Sequence, residues 1–338
     1  MKTYLQEFLD QFIALGGVAE NIFVREGENG RGVFPSDSSK SSKIITPRNL
    51  LVNTDNLEIR NGEIMLRDKS LNSLDEINFL ENYYNEYSWG NNGNSDSSAF
   101  LMFVASLPQS IQDRLLINRF IDEKILNYKD NEEHILKRFI DERAVGFKGQ
   151  RVLVPVWELV NHNSFSHPIR ITPFGIETPP MIASSQEIMH CYSKMNSPIS
   201  IWKKYGFACD CIVAYSVPFE IQIGSGSLAI SCLGQLGLDH EEKRSFSAVG
   251  NKLQIKSLPI GCLSIDLPQK NFNSIISSVG LSEEIADRLF PRIREANIKV
   301  RHDLINALEG SEQKSQNKSE LHKALIREID LIESSLTT

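Results

Sequence analysis

Apolar residues recur at helical spacing near the start of the chain and again near its end. A first helix is predicted to end at Gly16-Gly17, and its apolar positions are Leu5, Phe8, Leu9, Phe12 and Ile13. Past about Lys270 the chain is predicted to be helical again, with one apolar stripe at Leu321, Leu325, Ile329 and Ile332. Each pattern is typical of a helix that buries one face.

Strand-like patterns occur in two stretches that are far apart in the sequence. The first has a short strand at Asn21–Arg25 and then Glu26–Phe34, a turn with three glycines that ends in a second apolar strand. The Ser-, Asp- and Lys-rich segment Pro35–Lys43 is predicted to be an exposed loop. The second stretch has strands predicted at Arg151–Trp157, Ile169–Thr172 and Cys211–Ser216.

The region between the two strand stretches has a helical pattern. Helices are predicted at Glu76–Tyr87, Ala99–Ser106, Ser110–Ile125 and Glu132–Arg143, with a Gly-, Asn- and Ser-rich loop at Asn91–Ser98. The predicted order is a β-rich core that is split by a helical insertion and followed by a helical tail. This order argues against a fold of alternating βαβ units. The sequence therefore predicts an α+β protein.

Charge and composition narrow the class of protein. The net charge of −7 argues against a nucleic-acid binder that works by neutralising phosphates. No apolar run approaches the roughly 18–20 residues of a membrane span, and Glu7 and Asp10 interrupt the start of the chain, unlike a signal peptide. Five scattered cysteines suit a reducing compartment, so we expect a cytoplasmic protein.

The first candidate segment is Asn29-Gly30-Arg31-Gly32. A Gly-x-Gly turn lets a ligand approach the backbone closely, because no Cβ is in the way. Here the turn lies between strands and opens no helix, so a dinucleotide-binding fingerprint does not fit. An ordinary hairpin turn remains an alternative.

The second candidate segment runs from Val154 to Asn163, where an apolar strand leads into the polar pair Asn161-His162. Buried polar groups need partners, so this pair either satisfies the backbone or holds a ligand. A metal site made of Glu158, His162 and His167 is a further alternative, although the pattern is not His-Glu-x-x-His.

The third candidate segment, Glu187–Phe207, carries Tyr192 thirteen residues before Tyr205-Gly206-Phe207. The two tyrosines could line a pocket, or they could be ordinary core residues.

Taken in order, the three segments resemble the SET-domain protein methyltransferases, specifically the branch of the Rubisco large-subunit lysine methyltransferases. The matching stretches are Gly16–Phe34, Val154–His162 and Glu187–Phe207. Shorter landmarks are Ser106-Leu107-Pro108 in the helical insertion, and Gln235–Leu238 and Ser257–Ile260 in the tail.

This resemblance implies a role for each matching residue. The turn at Asn29, Gly30 and Arg31 would contact S-adenosylmethionine through its backbone. Asn161 and His162 would anchor the same cofactor, at the family's knot-like crossing of strands.

The resemblance also implies roles for three aromatic residues of the last segment. Tyr192 would stand at the centre of methyl transfer. Tyr205 would line the lysine channel, and Phe207 would contact the cofactor.

Two positions depart from the pattern of this branch, and the cysteines differ from those of histone-directed relatives. Glu158 replaces the usual Asp, and Pro198 stands where Asn is frequent. Asn163 replaces the zinc-binding cysteine of many histone-directed relatives, and Cys209-Asp210-Cys211 has no third cysteine until Cys232. We therefore expect no zinc.

The resemblance further implies a SET core in two halves, 1–60 with an N-terminal helix and 147–211, a helical insertion at 61–146, and a mostly helical substrate-binding-like domain at 212–338. The expected activity is methyl transfer from S-adenosylmethionine to a protein substrate, on the lysine ε-amine. A histidine acceptor and a catalytically silent SET-fold binding module are the alternatives. Neither nucleic acid nor membrane is expected as a partner, and the sequence leaves the oligomeric state open.

Overall fold

The computed structural model of the chain describes residues 2–27, 30–127, 131–178, 186–223, 228–234, 246–263, 267–312 and 315–334. The helices within these ranges are α1 (Lys2–Ala14), α2 (Leu74–Tyr83), α3 (Asn94–Ser106), α4 (Gln109–Ile117), α5 (Glu123–Leu126), α6 (Glu132–Arg143), α7 (Pro198–Tyr205), α8 (Leu267–Ser278), α9 (Glu283–Glu309) and α10 (Gln316–Ser334).

The strands follow two stretches of the chain. Before α2 lie β1 (Val18–Glu20), β2 (Ile22–Gly27), β3 (Gly30–Pro35), β4 (Lys43–Pro47), β5 (Val52–Asn53), β6 (Leu57–Arg60) and β7 (Glu63–Leu66). After α6 lie β8 (Val145–Phe147), β9 (Gln150–Leu153), β10 (Asn161–His162), β11 (Arg170–Ile171), β12 (Gly175–Glu177), β13 (Met189–His190), β14 (Val213–Tyr215), β15 (Phe219–Ile223), β16 (Leu228–Cys232), β17 (Phe246–Val249), β18 (Lys252–Ile255) and β19 (Pro259–Cys262). The predicted α+β class is confirmed.

The chain divides into two compact units, of which the first comprises Met1–Ala99 and Lys129–Ser193. Its strands form several small sheets: a four-stranded sheet in the order β1-β4-β12-β11, a three-stranded sheet β5-β9-β8, and the antiparallel hairpins β2-β3 and β6-β7. The strands β10 and β13 form a parallel pair. Its core brings together side chains from α1, α2, α6 and these sheets.

The first helix shows how the sequence dictates this packing. Phe8, Leu9 and Phe12 of α1 are buried, whereas Ile13 is 46% exposed. The helix ends before Gly17, where an added Cβ would lie 2.4 Å from the ring of Phe12. Glycine at this position therefore lets the chain turn back over the buried ring.

The predicted loop at Asn91–Ser98 is wrong, because the chain stays helical there. A π-helical segment, Tyr84–Gly93, continues from α2, and α3 begins at Asn94. Its Gly93 packs against α6, since an added Cβ would lie 2.8 Å from the ring of Phe139. Ser97 is buried and its Oγ donates to Glu142 Oε2 over 3.0 Å. Polar residues that favour loops in isolation are thus held in a helix by tertiary contacts.

The predicted helix Ser110–Ile125 is interrupted. It forms α4 and α5, and between them Arg119 adopts a left-handed φ of +60°. Phe120 and Ile121 are buried within the second unit, and the turn directs them inward. No glycine marks this turn, so the pattern of apolar residues alone did not reveal it.

The second unit comprises Phe100–Tyr128 and Lys194–Thr338. Strands occupy its first part, with the sheet β15-β16-β18-β17 and the antiparallel pair β14-β19, and helices follow from α8 onward. The predicted stripe of α10, Leu321, Leu325, Ile329 and Ile332, is buried throughout. Among the residues that the structure describes, no helix combines the length and the apolar character that crossing a membrane requires.

Candidate active site

The parallel pair β10-β13 forms the framework of the candidate site in the first unit. Asn161 is paired with Met189, and His162 with His190. The backbone N–H of Asn163 donates to the carbonyl oxygen of His190 over 3.0 Å and extends this pairing. Tyr192 follows β13 directly, so the strand pair brings it close to the Asn-His pair.

Asn161 connects β10 to the hairpin formed by β2 and β3. Its Nδ2 donates to the backbone oxygen of Arg31 over 3.1 Å and to Glu187 Oε1 over 2.6 Å. Both partners are acceptors, so the amide nitrogen, not the amide oxygen, must face them. Gly32 makes room for this contact, because an added Cβ would lie 2.0 Å from Glu187 Oε1.

His162 connects β10 to Tyr192. The backbone N–H of Tyr192 donates to Nδ1 of His162 over 3.0 Å, and Nε2 lies 2.9 Å from the Ser164 hydroxyl. Because an N–H can only donate, Nδ1 must be unprotonated, and the proton of the neutral ring is on Nε2. Ser164 Oγ therefore accepts from the imidazole.

The side chain of Tyr192 lies between two imidazoles. Its ring centroid is 4.7 Å from that of His162 and 4.7 Å from that of His190. Its hydroxyl is 3.4 Å from the carbonyl oxygen of Val160, to which it donates. The phenol oxygen therefore has a fixed direction next to a backbone acceptor.

His190 is 1% exposed and stacks on Trp157 with 4.2 Å between ring centroids. Burial, partly offset by the backbone of Cys191, lowers the pKa of His190 to about 3. Within the described residues, neither ring nitrogen has a hydrogen-bond partner. The ring is therefore neutral at physiological pH. Sequence reasoning missed His190 and Glu187; the available signal for His190 was a polar residue beside the apolar Ile188 and Met189, and no local signal marked Glu187.

A buried charged cluster surrounds Glu158, which departs from the family pattern. The Tyr83 hydroxyl donates to Glu158 Oε1 over 2.8 Å. Burial raises the pKa of the Glu158 carboxyl. This rise is partly offset by the positive charge of Arg143 and by hydrogen bonds from the side chains of Ser88 and Tyr83. Glu158 thus belongs to a hydrogen-bonded network with α2.

The structure does not bring Glu158, His162 and His167, the metal alternative, together as a ligand group. Across the described part of the chain, no three such side chains are placed to hold a metal ion. The reason lies in their partners: Glu158 faces Tyr83, and His162 uses Nδ1 for the Tyr192 backbone.

The backbone just before the Asn-His pair is strained. Val156 has φ +66° and ψ −47°, and a short 3₁₀ turn at Trp157–Leu159 follows it. Positive φ is unfavourable for a β-branched residue, and such outliers cluster at functional sites. The strand predicted to reach Trp157 ends at Leu153, since this turn redirects the chain into β10.

Of the three candidate residues of the glycine turn, the structure describes Gly30 and Arg31. Asn29 lies outside the described residues. Gly30 has φ +82°, and an added Cβ would meet no atom within 4 Å. In the side chain of Arg31, Nε and Nη1 are buried and have no hydrogen-bond partner among the described residues.

Tyr205 and Phe207 lie in the second unit. Tyr205 is the last residue of α7, and Gly206 ends the helix with φ +81° and donates its N–H to the Trp202 carbonyl over 2.8 Å. The rings of Tyr205 and Phe207 are 6.1 Å apart. Pro198, noted above as a departure, is the first residue of α7, where a missing N–H costs nothing.

No protein-family model matches the sequence, and no curated protein does. Solved structures similar to this chain include a SET domain of LSMT bound to lysine and AdoHcy, with a TM-score of 0.46, 13% identity, and coverage of 99% of this chain and 91% of that one. A structure of Rubisco LSMT bound to AdoMet has a TM-score of 0.46 and 11% identity, and the match covers 98% of this chain and 90% of that one. Another, of Rubisco LSMT bound to sinefungin and monomethyllysine, has a TM-score of 0.46 and 13% identity, and covers 99% and 91%. Likeness at this level records what the chain is similar to and does not by itself assign an activity.

Proposed function

We propose that this protein transfers a methyl group from S-adenosylmethionine to a protein side chain, and that the acceptor is the lysine ε-amine. One observation supports this most strongly. Asn161 bonds the glycine turn at the Arg31 carbonyl, and its neighbour His162 bonds the backbone of Tyr192. Asn161 and His162 of the second segment are therefore hydrogen-bonded to the first segment and to the part of the third segment that lies in the first unit.

The residues present fit the cofactor that the motifs imply. Nε and Nη1 of Arg31 are buried and have no hydrogen-bond partner among the described residues, and a guanidinium in this state suits a carboxylate. The open, left-handed turn at Gly30 lets a ligand approach the backbone. Arg31, Gly30, Asn161 and His162 would hold S-adenosylmethionine, with Asn29 and Phe207 assigned through the motifs alone.

When bound, S-adenosylmethionine would supply a methyl group on a positively charged sulfur. The protein must align this group with an acceptor nitrogen and exclude water, because in-line displacement depends mainly on orientation. Tyr192 suits the orienting role: its phenol oxygen is directed by the Val160 carbonyl and can also accept a hydrogen bond from an amine. The neutral rings of His162 and His190 hold Tyr192 in place without adding charge.

The acceptor must be a neutral amine, although a free lysine has a pKa of about 10.4. Burial lowers that pKa. Tyr205 would line the lysine channel, by its place in the motif. We further propose that this protein is cytoplasmic, that its substrate is a protein, and that neither nucleic acid nor membrane takes part.

Titration calorimetry with S-adenosylmethionine and S-adenosylhomocysteine tests the proposal. We expect both to bind with micromolar affinity, since both share the carboxylate that Arg31 would hold. Wild-type protein that shows no heat of binding at millimolar ligand would contradict the proposal. Binding without turnover on any lysine-bearing substrate would favour the silent module.

A further inference from the structure

Helix α7 carries the segment Tyr205-Gly206-Phe207 at its end, and its beginning is held by α10. The hydroxyl of Ser197 caps the helix by accepting from the Ser200 N–H over 3.2 Å. Another N–H of the first turn, that of Ile199, donates to Glu328 Oε1 over 3.2 Å. A carboxylate from another helix thus satisfies a helix N-terminus, which is where negative charge is favourable.

The position of Glu328 is itself fixed. Its Oε2 accepts from Nε of Arg301 over 2.8 Å, and both side chains are almost fully buried. Arg301 also donates from Nη2 to the carbonyl oxygen of Tyr215 over 2.8 Å. A buried ion pair whose partners are hydrogen-bonded on several sides is rigid, so Glu328 offers α7 a well-defined acceptor.

The other end of α7 is held by a second carboxylate of the same helix. After Gly206 ends α7, the N–H of Ala208 donates to Glu320 Oε2 over 2.8 Å. The other oxygen of Glu320 accepts from Lys323 Nζ over 2.7 Å. Phe207 therefore lies between two backbone positions that are each tied by a hydrogen bond.

Glu320 and Glu328 are eight residues apart, roughly 12 Å along α10, which matches the length of the eight-residue α7. We propose that α10 is a positioning element for the reaction: Glu320 and Glu328 set the place of α7 and of Tyr205 and Phe207. This inference rests on the proposed function, which assigns Phe207 to the cofactor and Tyr205 to the lysine channel.

Glu320→Ala tests the inference, because Glu320 is at the edge of the core, whereas truncation in the buried pair at Glu328 would endanger folding. Glu320→Gln keeps an oxygen that can accept from Ala208. Lys323→Ala removes the other partner of Glu320 and leaves the bond to Ala208 intact. The measurements are amide hydrogen exchange at residues 207–211 without cofactor, and the dissociation constant for S-adenosylhomocysteine.

We expect Glu320→Ala to speed exchange at Ala208 by about tenfold or more and to weaken cofactor binding by about tenfold. Glu320→Gln and Lys323→Ala should both match wild type. A Glu320→Ala variant that binds the cofactor as tightly as wild type would overturn the inference, whatever its exchange rate. Absence of binding by the wild type would instead contradict the proposed function, so the two failures are distinguishable.

Discussion

The imidazole of His162 accepts a hydrogen bond at Nδ1 from the backbone N–H of Tyr192, over 3.0 Å. This bond is one of those that connect the second and third motif segments, and its two residues are 30 positions apart in sequence. It also fixes the proton of the neutral ring on Nε2, since a backbone N–H cannot accept. We therefore propose that His162 contributes to the reaction through the placement of Tyr192.

His162→Leu removes the acceptor of the half-buried Tyr192 N–H. We expect a loss of about 1–3 kcal/mol in unfolding free energy and a lower turnover per folded molecule. Ser164→Ala is the matched control, because it removes the other partner of the imidazole and leaves Tyr192 tied. Denaturant unfolding combined with single-turnover rates checks this; equal turnover in His162→Leu and wild type would show that the bond has no catalytic role.

Two neighbouring asparagines should respond in opposite ways to replacement by Asp. Asn161 uses its amide nitrogen as a donor, and Glu187 Oε1 lies 2.6 Å away, so Asn161→Asp would put two carboxylates together. Asn163 uses its amide oxygen, which accepts from the Phe165 N–H over 2.8 Å, so Asn163→Asp keeps that bond. We expect Asn161→Asp to lower stability by about 1–3 kcal/mol and cofactor affinity by tenfold or more, with Asn163→Asp near wild type. Similar affinities for the two variants would remove Asn161 from the site.

His190 makes the protein sensitive to acid. The pKa of His190 in the folded protein is about 3, below its ordinary value of 6.5. Between pH 3 and pH 6.5 this residue therefore binds a proton in the unfolded chain but not in the folded one. Stability is therefore lost as the pH falls from 6.5 towards 3, by roughly 2 kcal/mol at pH 5 from this group. Unfolding curves at pH 7 and pH 5 should show a smaller loss for His190→Leu than for wild type. The exposed His302→Leu is the control, and an equal loss in all three proteins would refute the prediction.

The sequence predicted the parts of the molecule that rest on local patterns. The helix Glu132–Arg143 coincides with α6, and the buried stripe of α10 follows its 3.6-residue period. Both are long periodic segments bounded by polar residues, for which local signals are strong. Where glycine and serine are packed by distant partners, as at Gly93 against Phe139 and at Ser97 against Glu142, local signals predicted a loop and tertiary contacts produced a helix.

The candidate site was predictable as a set of motifs but not as a network. The order of the motifs along the chain is enough to predict three candidate site residues, Asn161, His162 and Tyr192. Glu187 could not be chosen in the same way, because its role depends on the space left by Gly32 across a hairpin. The strained turn at Val156 was also invisible, since a valine in an apolar run predicts a strand.

Tyr192→Phe removes one hydroxyl and keeps the ring between its two imidazoles. We expect turnover to fall by roughly 10²-fold or more, as for the loss of one preorganised polar group, with nearly unchanged cofactor affinity. Tyr84→Phe is the control, because within the described residues the buried Tyr84 hydroxyl has no hydrogen-bond partner. A fall in stability of about 1 kcal/mol with intact turnover would assign Tyr192 a purely structural role.

Transfer of tritium from S-adenosylmethionine labelled in its methyl group tests the central claim most directly. Cell lysate would be incubated with wild type or with Tyr192→Phe, and the labelled protein hydrolysed to identify the modified amino acid. We expect the wild type to label a protein band whose tritium is recovered as methyllysine, and Tyr192→Phe to label it at least about 10²-fold more slowly. Tritium recovered as methylhistidine would contradict the lysine assignment. Wild-type protein that binds S-adenosylmethionine but transfers no label would contradict the proposed methyltransferase activity.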